Sequence, residues 1–92
     1  MSIVVRFHPT NLTAEQYDDV VRREQGTGKY PPDGRESHIC FGTDGDLRVS
    51  EVWDSVEQLQ AYGEILMPIL ADAGIQFSAE PEVFEAHRID NR

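Results

Sequence analysis

The segment 35–54 contains two runs of strand-forming residues on either side of Asp44-Gly45. An Asp-Gly pair between alternating apolar and polar residues is the strongest short signal for a β-hairpin. A two-residue turn at this point pairs Thr43 with Asp46 and fixes the register of every pair further from the turn. The sequence therefore predicts not only two strands but also which of their residues face each other.

This register divides the hairpin between two sheet faces, because successive side chains of a strand point to opposite sides. His38 is predicted directly opposite Glu51, with Cβ atoms about 5 Å apart, and Trp53 follows one step along on the same face. Neither face is cleanly polar, and a sheet that is apolar on both sides needs a second cover, most simply another copy of itself. One face carries His38, Cys40, Leu47, Val49, Glu51 and Trp53, and the other carries Ile39, Phe41, Arg48, Ser50 and Val52.

A first strand and a first helix are predicted before the hairpin. Residues 2–9 are rich in β-branched and aromatic side chains and stop at Pro9, which favours a strand. Thr13 with Gln16 forms a capping-box pattern, so a helix is expected to begin there, with Leu12 and Tyr17 as its hydrophobic staple. The Gly- and Pro-rich residues 26–34 predict a loop before the hairpin.

A second helix follows the hairpin, capped by Asp54 or Ser55, and ends at Gly74 in a left-handed cap. Pro68 lies well inside it and is expected to kink or break the helix near Glu64, because proline lacks the backbone donor. A last strand is predicted over residues 82–89. The buried stripe of the second helix is predicted to contain Val56, Leu59, Leu66, Met67, Leu70 and Ala73.

The predicted element order is β-α-β-β-α-β, which is an α+β, ferredoxin-like sandwich with a four-stranded antiparallel sheet. Right-handed crossovers place both helices on one face of that sheet. We expect residues 1–92 to form one domain. A domain of this size buries only about 60% of its unfolded surface, so a partner subunit would supplement its core.

Charge and cysteine content exclude several classes of partner. The 17 acidic and 8 basic residues give a formal net charge of -9, which disfavours binding to nucleic acid or to an anionic membrane surface. The single cysteine cannot form an intramolecular disulfide, the apolar start is too short for a signal peptide, and no stretch is long enough to span a bilayer. A cytoplasmic protein is predicted.

The pairing of His38 with Glu51 suggests a functional site. A carboxylate fixes one tautomer of the imidazole, as a general base requires, and Trp53 would line a pocket beside it. The alternative is a cross-strand pair that satisfies itself, with Trp53 as core. His8, His38 and His87 fall on predicted strands, but no pair has the spacing of a metal motif, so no metal or cofactor is predicted. Cys40 is predicted to be a small buried hydrophobe rather than a nucleophile.

The element order, the tryptophan of "EVWDS" and the helix directly after it resemble the dimeric α/β-barrel superfamily. The resemblance is nearest to small uncharacterised actinobacterial members with segments like "FHP", "HICFG" and "LMPIL", related to the antibiotic-biosynthesis-type monooxygenases. It implies a homodimer with a pocket between each sheet and its helices, lined by Trp53. Tyr62 stands where relatives carry a histidine, and Arg6 and His8 lie near the place of a strand-one asparagine. These departures argue against haem degradation and leave quinol oxidation unsupported.

The predicted function is therefore a small-molecule-binding barrel, with a cofactor-independent monooxygenase or cyclase acting on an aromatic or polyketide-like compound as its active form. Trp53 would stack on the ligand, His38 with Glu51 would move a proton, Tyr62 would supply a hydroxyl and Met67 would shape a pocket wall. The rival is a non-catalytic assembly or ligand-sequestering protein. An open pocket ringed by His38, Glu51 and Trp53 favours chemistry, and a pocket filled by apolar side chains favours the rival.

Overall fold

Six elements describe the chain in a computed structural model that covers residues 1–92. The sheet has the strand order β2-β3-β1-β4, and every neighbouring pair is antiparallel. The predicted ferredoxin-like α+β sandwich is confirmed. The elements are β1 (Ile3–Phe7), α1 (Ala14–Gly26), β2 (Arg35–Thr43), β3 (Asp46–Trp53), α2 (Val56–Asp72) and β4 (Glu82–Glu85).

The hairpin has the predicted register, with Thr43 opposite Asp46 and His38 opposite Glu51. Its turn is also tied to the loop before α1. The backbone N–H groups of Gly45 and Leu47 both donate to the carbonyl of Leu12, each over 3.1 Å. These two hydrogen bonds hold the start of α1 against the β2–β3 turn, so the first turn of α1 keeps a fixed distance from the hairpin.

Both helices begin at the predicted caps. The Thr13 side chain accepts the backbone N–H of Gln16, and the Gln16 side chain accepts that of Thr13 over 3.1 Å, which completes the capping box. Ser55 caps α2 by accepting from the backbone N–H of Gln58. Gly74 follows α2 with a φ of 75°, in the left-handed region that favours glycine.

The sequence predicts a kink or a break of α2 near Glu64. The break is wrong, since the helix continues from Val56 to Asp72 without interruption, and the kink stays a prediction. Pro68 lies on the exposed side, and so does Glu64, whose carbonyl loses its helical donor and can be hydrated instead. Met67 was also misplaced on the buried stripe. It is 56% exposed, and the buried residue of α2 is Tyr62.

The last strand is half as long as predicted. β4 pairs with β1 from Glu82 to Glu85, and the last bond runs from the Ala86 N–H to the Ser2 carbonyl over 3.0 Å. β4 ends at Glu85, so His87 lies beyond the sheet. His8 likewise follows the end of β1 at Phe7.

The two faces of the sheet differ in what covers them. Against the helices lies a core of Ile3, Val5, Trp53 and Tyr62, each at most 6% exposed. The other face has no cover within the chain, and large apolar side chains remain exposed on it. These are Ile39 at 57%, Phe41 at 37% and Phe84 at 55%. Neither helix is long and apolar enough to cross a membrane.

Candidate functional site

The imidazole of His38 is held at both ring nitrogens. Nδ1 lies 2.5 Å from Oε2 of Glu51, and Nε2 lies 2.6 Å from the hydroxyl of Tyr17. An ionised carboxylate only accepts, so Nδ1 carries a proton and donates it to Glu51. In the neutral ring Nε2 is then the acceptor, and Tyr17 donates to it. This tautomer presents the basic nitrogen to the helix side of the sheet.

Glu51 is the centre of the arrangement; it lies on β3 and is 5% exposed. Its Oε1 accepts the indole N–H of Trp53 over 2.9 Å. Its Oε2 accepts from His38 and also from Nη1 of Arg35, at 3.3 Å. A buried carboxylate requires such partners, because an unpaired charge in this environment is costly. Both oxygens are therefore occupied, and Glu51 orients other groups instead of meeting a ligand itself.

Arg35 supplies the positive charge of the site. Its side chain is 8% exposed, and its guanidinium lies 5.2 Å from the centre of the Tyr30 ring, a cation–π contact. The loop before β2 brings Tyr30 there, so the ring and Glu51 hold the guanidinium between them.

A second carboxyl lies on the helix side. Glu24, on the buried face of α1, accepts the hydroxyl of Tyr62 from α2 over 2.9 Å. Burial raises the pKa of Glu24 above its ordinary value, although the Tyr62 hydrogen bond acts in the opposite direction. Burial and the nearby Glu24 together raise the pKa of Tyr62. The pair joins the two helices through a buried polar contact.

Tyr17, like Glu24 and Arg35, is a residue of the site that the sequence analysis did not predict. Its ring stacks on His38 with 5.9 Å between ring centres and 20° between ring planes. Burial raises the pKa of Tyr17 to about 12, so its hydroxyl keeps its proton at neutral pH. The available signal was the helical spacing from Tyr17 to Glu24, which puts two polar groups on the face that α1 buries.

A cavity of about 60 Å³ lies between the sheet and the helices. Two water molecules occupy about that volume in the liquid, whereas a dry cavity that binds benzene measures about 150 Å³. An aromatic ligand thus needs a side chain to move. The cavity has a polar wall and an apolar wall. The polar wall is formed by Tyr17, Glu24, Arg35, His38 and Glu51, and the apolar wall includes Phe7, Leu12, Leu66, Leu70, Ile75 and Phe77.

The structure separates the residues that the sequence analysis grouped. His38 and Glu51 lie together on the cavity wall. Trp53 is 1% exposed, lies behind Glu51 and does not line the cavity. Tyr62 lies between the helices on Glu24, and Met67 lies on the surface in a groove with residues 77–81. Contact of Trp53, Tyr62 or Met67 with a ligand stays a prediction.

The other reactive side chains lie elsewhere or are deactivated. Cys40 is half-buried, not buried as predicted; burial, with Asp18 nearby, raises the pKa of its thiol, which disfavours the nucleophilic thiolate. His8 pairs with Asp46 over 3.0 Å on the outer face and lowers the pKa of that carboxyl. No group of three or more His, Cys, Asp or Glu side chains is placed to hold a metal ion.

Comparison with known proteins gives relatives in structure only. No protein-family profile matches the chain, and no curated protein matches its sequence. Solved structures do match over almost the whole chain. A candidate antibiotic biosynthesis monooxygenase from Chloroflexus aurantiacus has a TM-score of 0.67 at 16% identity, covering 99% of this chain and 98% of that one.

Two further matches are of the same kind. A candidate antibiotic biosynthesis monooxygenase from Deinococcus radiodurans has a TM-score of 0.62 at 15% identity, covering 100% and 98% of the two chains. SnoaB from Streptomyces nogalater, a cofactor-independent oxygenase, has a TM-score of 0.61 at 18% identity, covering 96% and 93%. The resemblance to antibiotic-biosynthesis-type monooxygenases is confirmed as a likeness of fold.

Proposed function

We propose that this chain is a cofactor-independent monooxygenase that removes a proton from a small aromatic or polyketide-like compound. The observation that carries the proposal is the line of contacts from Glu51 through His38 to Tyr17 at the wall of a cavity whose other side is apolar. His38 and Tyr17 come from different elements, and Glu51 fixes the tautomer that leaves Nε2 as a base. The fold shared with SnoaB supports the same direction.

The substrate reaches His38 by taking the place of Tyr17. The Tyr17 hydroxyl occupies Nε2, and the cavity is too small for an additional ring. When the phenol of Tyr17 swings away, the space of one aromatic ring opens in front of the base. A substrate with an acidic O–H or C–H then gives its proton to Nε2, and Glu51 stabilises the imidazolium that forms.

The chemistry needs no cofactor if the substrate itself supplies the electrons. A methylene that loses a proton to His38 becomes a carbanion, which reduces dioxygen and binds it at carbon as a peroxide anion. The peroxide takes the proton back from His38 and becomes a hydroperoxide. Loss of water then leaves a carbonyl, so that one methylene and one O₂ give one carbonyl and one H₂O. The apolar wall favours this step, since it keeps bulk water from the carbanion.

The active form is a homodimer of one-domain chains. The outer face of the sheet exposes Ile39, Phe41 and Phe84, and only 11 of 92 residues are buried, which is little core for a stable single chain. A second copy that covers this face supplies the missing burial. The site itself lies on the opposite face and is built within one chain.

Oxygen uptake with 1-phenylpropan-2-one, a one-ring ketone whose benzylic methylene is acidic, tests the proposal. The protein is expected to raise the rate above the protein-free rate and to yield 1-phenylpropane-1,2-dione. His38→Gln should lose at least 100-fold, the usual scale of a general base. Tyr17→Phe should keep or gain activity by about 2–10-fold, because one competing hydrogen bond disappears. His8→Gln, an exposed histidine on the outer face, is the matched control.

The second candidate is a ligand-sequestering protein, favoured by the small volume of the cavity. It predicts saturable binding of 1-phenylpropan-2-one with no oxygen uptake above the protein-free rate. Equal rates for the native protein and His38→Gln would overturn the enzymatic proposal.

A further inference from the structure

We infer that Arg35 binds the oxygen on which negative charge develops, so the ligand of this cavity carries an acidic O–H or C–H conjugated to a second, electron-withdrawing oxygen group. The inference rests on the proposed function and adds the substrate class and a second polar contact. Neither the fold nor the pair of His38 with Glu51 requires an arginine at this position.

The donors of Arg35 are mostly unused. A guanidinium has five N–H donors, and the only protein acceptor bonded to this one is Oε2 of Glu51, through Nη1 at 3.3 Å. The other close nitrogen is Nδ1 of His38 at 3.5 Å, which already carries the proton given to Glu51 and cannot accept. An arginine side chain that is 8% exposed thus keeps most of its donors free of protein partners.

These free donors are accessible to small molecules. Every fully buried side-chain nitrogen and oxygen in the chain has a hydrogen-bond partner, so the Arg35 nitrogens without a protein partner are ones that solvent reaches. Arg35 lines the cavity beside His38 and Glu51. A ligand that enters the cavity can therefore replace solvent as the acceptor for these N–H groups.

Charge balance explains why the ligand should become an anion there. With neutral His38, the positive Arg35 is matched by Glu51. After His38 takes a proton, two cations share one carboxylate, and a negative ligand restores neutrality. The remaining groups that face this cluster are the ring of Tyr30 and the carboxyl of Glu24, and burial keeps Glu24 nearer its neutral form than an exposed carboxyl.

The same balance disfavours a ligand that arrives already charged. A carboxylate would enter while Arg35 is still matched by Glu51, and it would add an unpaired charge to a desolvated site. A neutral phenol or enolisable ketone creates its charge only as His38 becomes positive. The planar fork of arginine suits an oxygen of a conjugated anion, because it offers parallel donors in fixed geometry.

Titration of bound 4-nitrophenol tests the inference. Its phenol resembles the Tyr17 ring that it replaces, its nitro oxygens are conjugated with the acidic O–H, and its neutral and ionised forms differ in absorbance. The native protein is expected to lower the pKa of the bound probe below its value in solution. The ionisation constant of 4-nitrophenol bound to Arg35→Gln should be at least tenfold smaller than that of the probe bound to the native protein, which is the scale of one nearby opposite charge. Arg48→Gln, on the outer face, should leave that constant unchanged.

The outcomes separate the two proposals. If Arg35→Gln ionises the probe as the native protein does while His38→Gln does not, the base stands and the role of Arg35 is overturned. If the native protein leaves the bound probe neutral, the proposed function is overturned, and the role of Arg35 that rests on it is overturned as well. If Arg35→Gln does not fold by circular dichroism, Arg35→Lys decides. It keeps the charge without the fork and should weaken phenolate binding several-fold, and unchanged affinity would overturn the inference.

Discussion

The two faces of the sheet are made by the same strands and yet differ in kind. On the helix side, the side chains of Glu51 and Arg35 are buried and that of His38 is half-buried, all with defined partners. On the outer side, Ile39 and Phe41, which lie on the same strand as His38, are exposed to solvent. Adjacent positions of one strand thus carry a polar network inside and an apolar patch outside, the reverse of an ordinary half-buried sheet.

This inversion shows which interactions the single chain completes. Every fully buried side-chain nitrogen and oxygen has a hydrogen-bond partner, so the helix side needs no second chain to pair its buried polar groups. The apolar face lacks a cover, and exposed patches of this kind mark surfaces of association. Polar and apolar composition alone would have assigned the faces the wrong way round. The register divides the side chains correctly into two sets, but it does not say which set the helices cover.

The largest expected effect is on the helix side. Glu51→Ala removes the acceptor shared by His38, Arg35 and Trp53 and leaves a buried arginine unpaired. We expect the free energy of unfolding to fall by about 3–5 kcal/mol, measured by urea denaturation at a fixed protein concentration. Ser50→Ala, the adjacent residue on the outer face, should change it by less than about 0.5 kcal/mol. Equal losses from the two variants would contradict the difference between the faces.

A smaller effect is expected on the outer side. The native chain should have about twice its 10.4 kDa mass in light scattering. Ile39→Lys and Phe84→Lys place charges on the apolar patch and should weaken self-association at least about tenfold, the usual cost of losing a central interface side chain. Met67→Lys changes a residue that is equally exposed, at 56%, but lies on α2, and should leave the dimer intact. A native protein that is monomeric at micromolar concentration would contradict the proposed homodimer.

The smallest effect concerns the pH dependence of stability that Glu24 produces. Its pKa is raised in the folded state by burial, so at low pH both states hold the proton and nothing is lost. As the pH rises past the ordinary value of 4.5, the unfolded state ionises first, and the free energy of unfolding falls until the pH passes the raised pKa.

Glu24→Gln keeps an acceptor for Tyr62 without the charge and removes this loss. The stability of the variant relative to the native protein should therefore increase as the pH is raised from about 4 to 7. Glu64→Gln, an exposed glutamate of α2, should show no such trend. A difference that stays flat across this range would contradict the burial of an ionisable Glu24.

The fold was predictable wherever a local signal determined it. Asp44-Gly45 fixed the hairpin register, and Thr13 with Gln16 fixed the start of α1. The errors came from the surroundings of a residue. Pro68 does not break α2 because its lost hydrogen bond lies on the solvent side. β4 ends at Glu85, four residues before the predicted end at residue 89.

The site was predictable only in its sheet half. The register gives His38 opposite Glu51, because strand pairing follows from sequence spacing. The contacts of Tyr17 with His38 and of Tyr62 with Glu24 depend on how far each helix rotates and slides over the sheet, which no short pattern encodes. Trp53 shows the same limit, since its strand position follows from the register, whereas the sequence left both a pocket wall and a core position open for a ring that is 1% exposed.

The bond from the Trp53 indole to Oε1 of Glu51 gives this protein an internal optical probe. Trp53 is the only tryptophan, so its ultraviolet fluorescence comes from one indole in one setting, with no background from others. That indole is one carboxylate away from His38, close enough for a change of charge on the imidazole to alter its emission. Proton transfer at the cavity wall can thus be followed in the unmodified chain, on the timescale of the event, without a dye or a label.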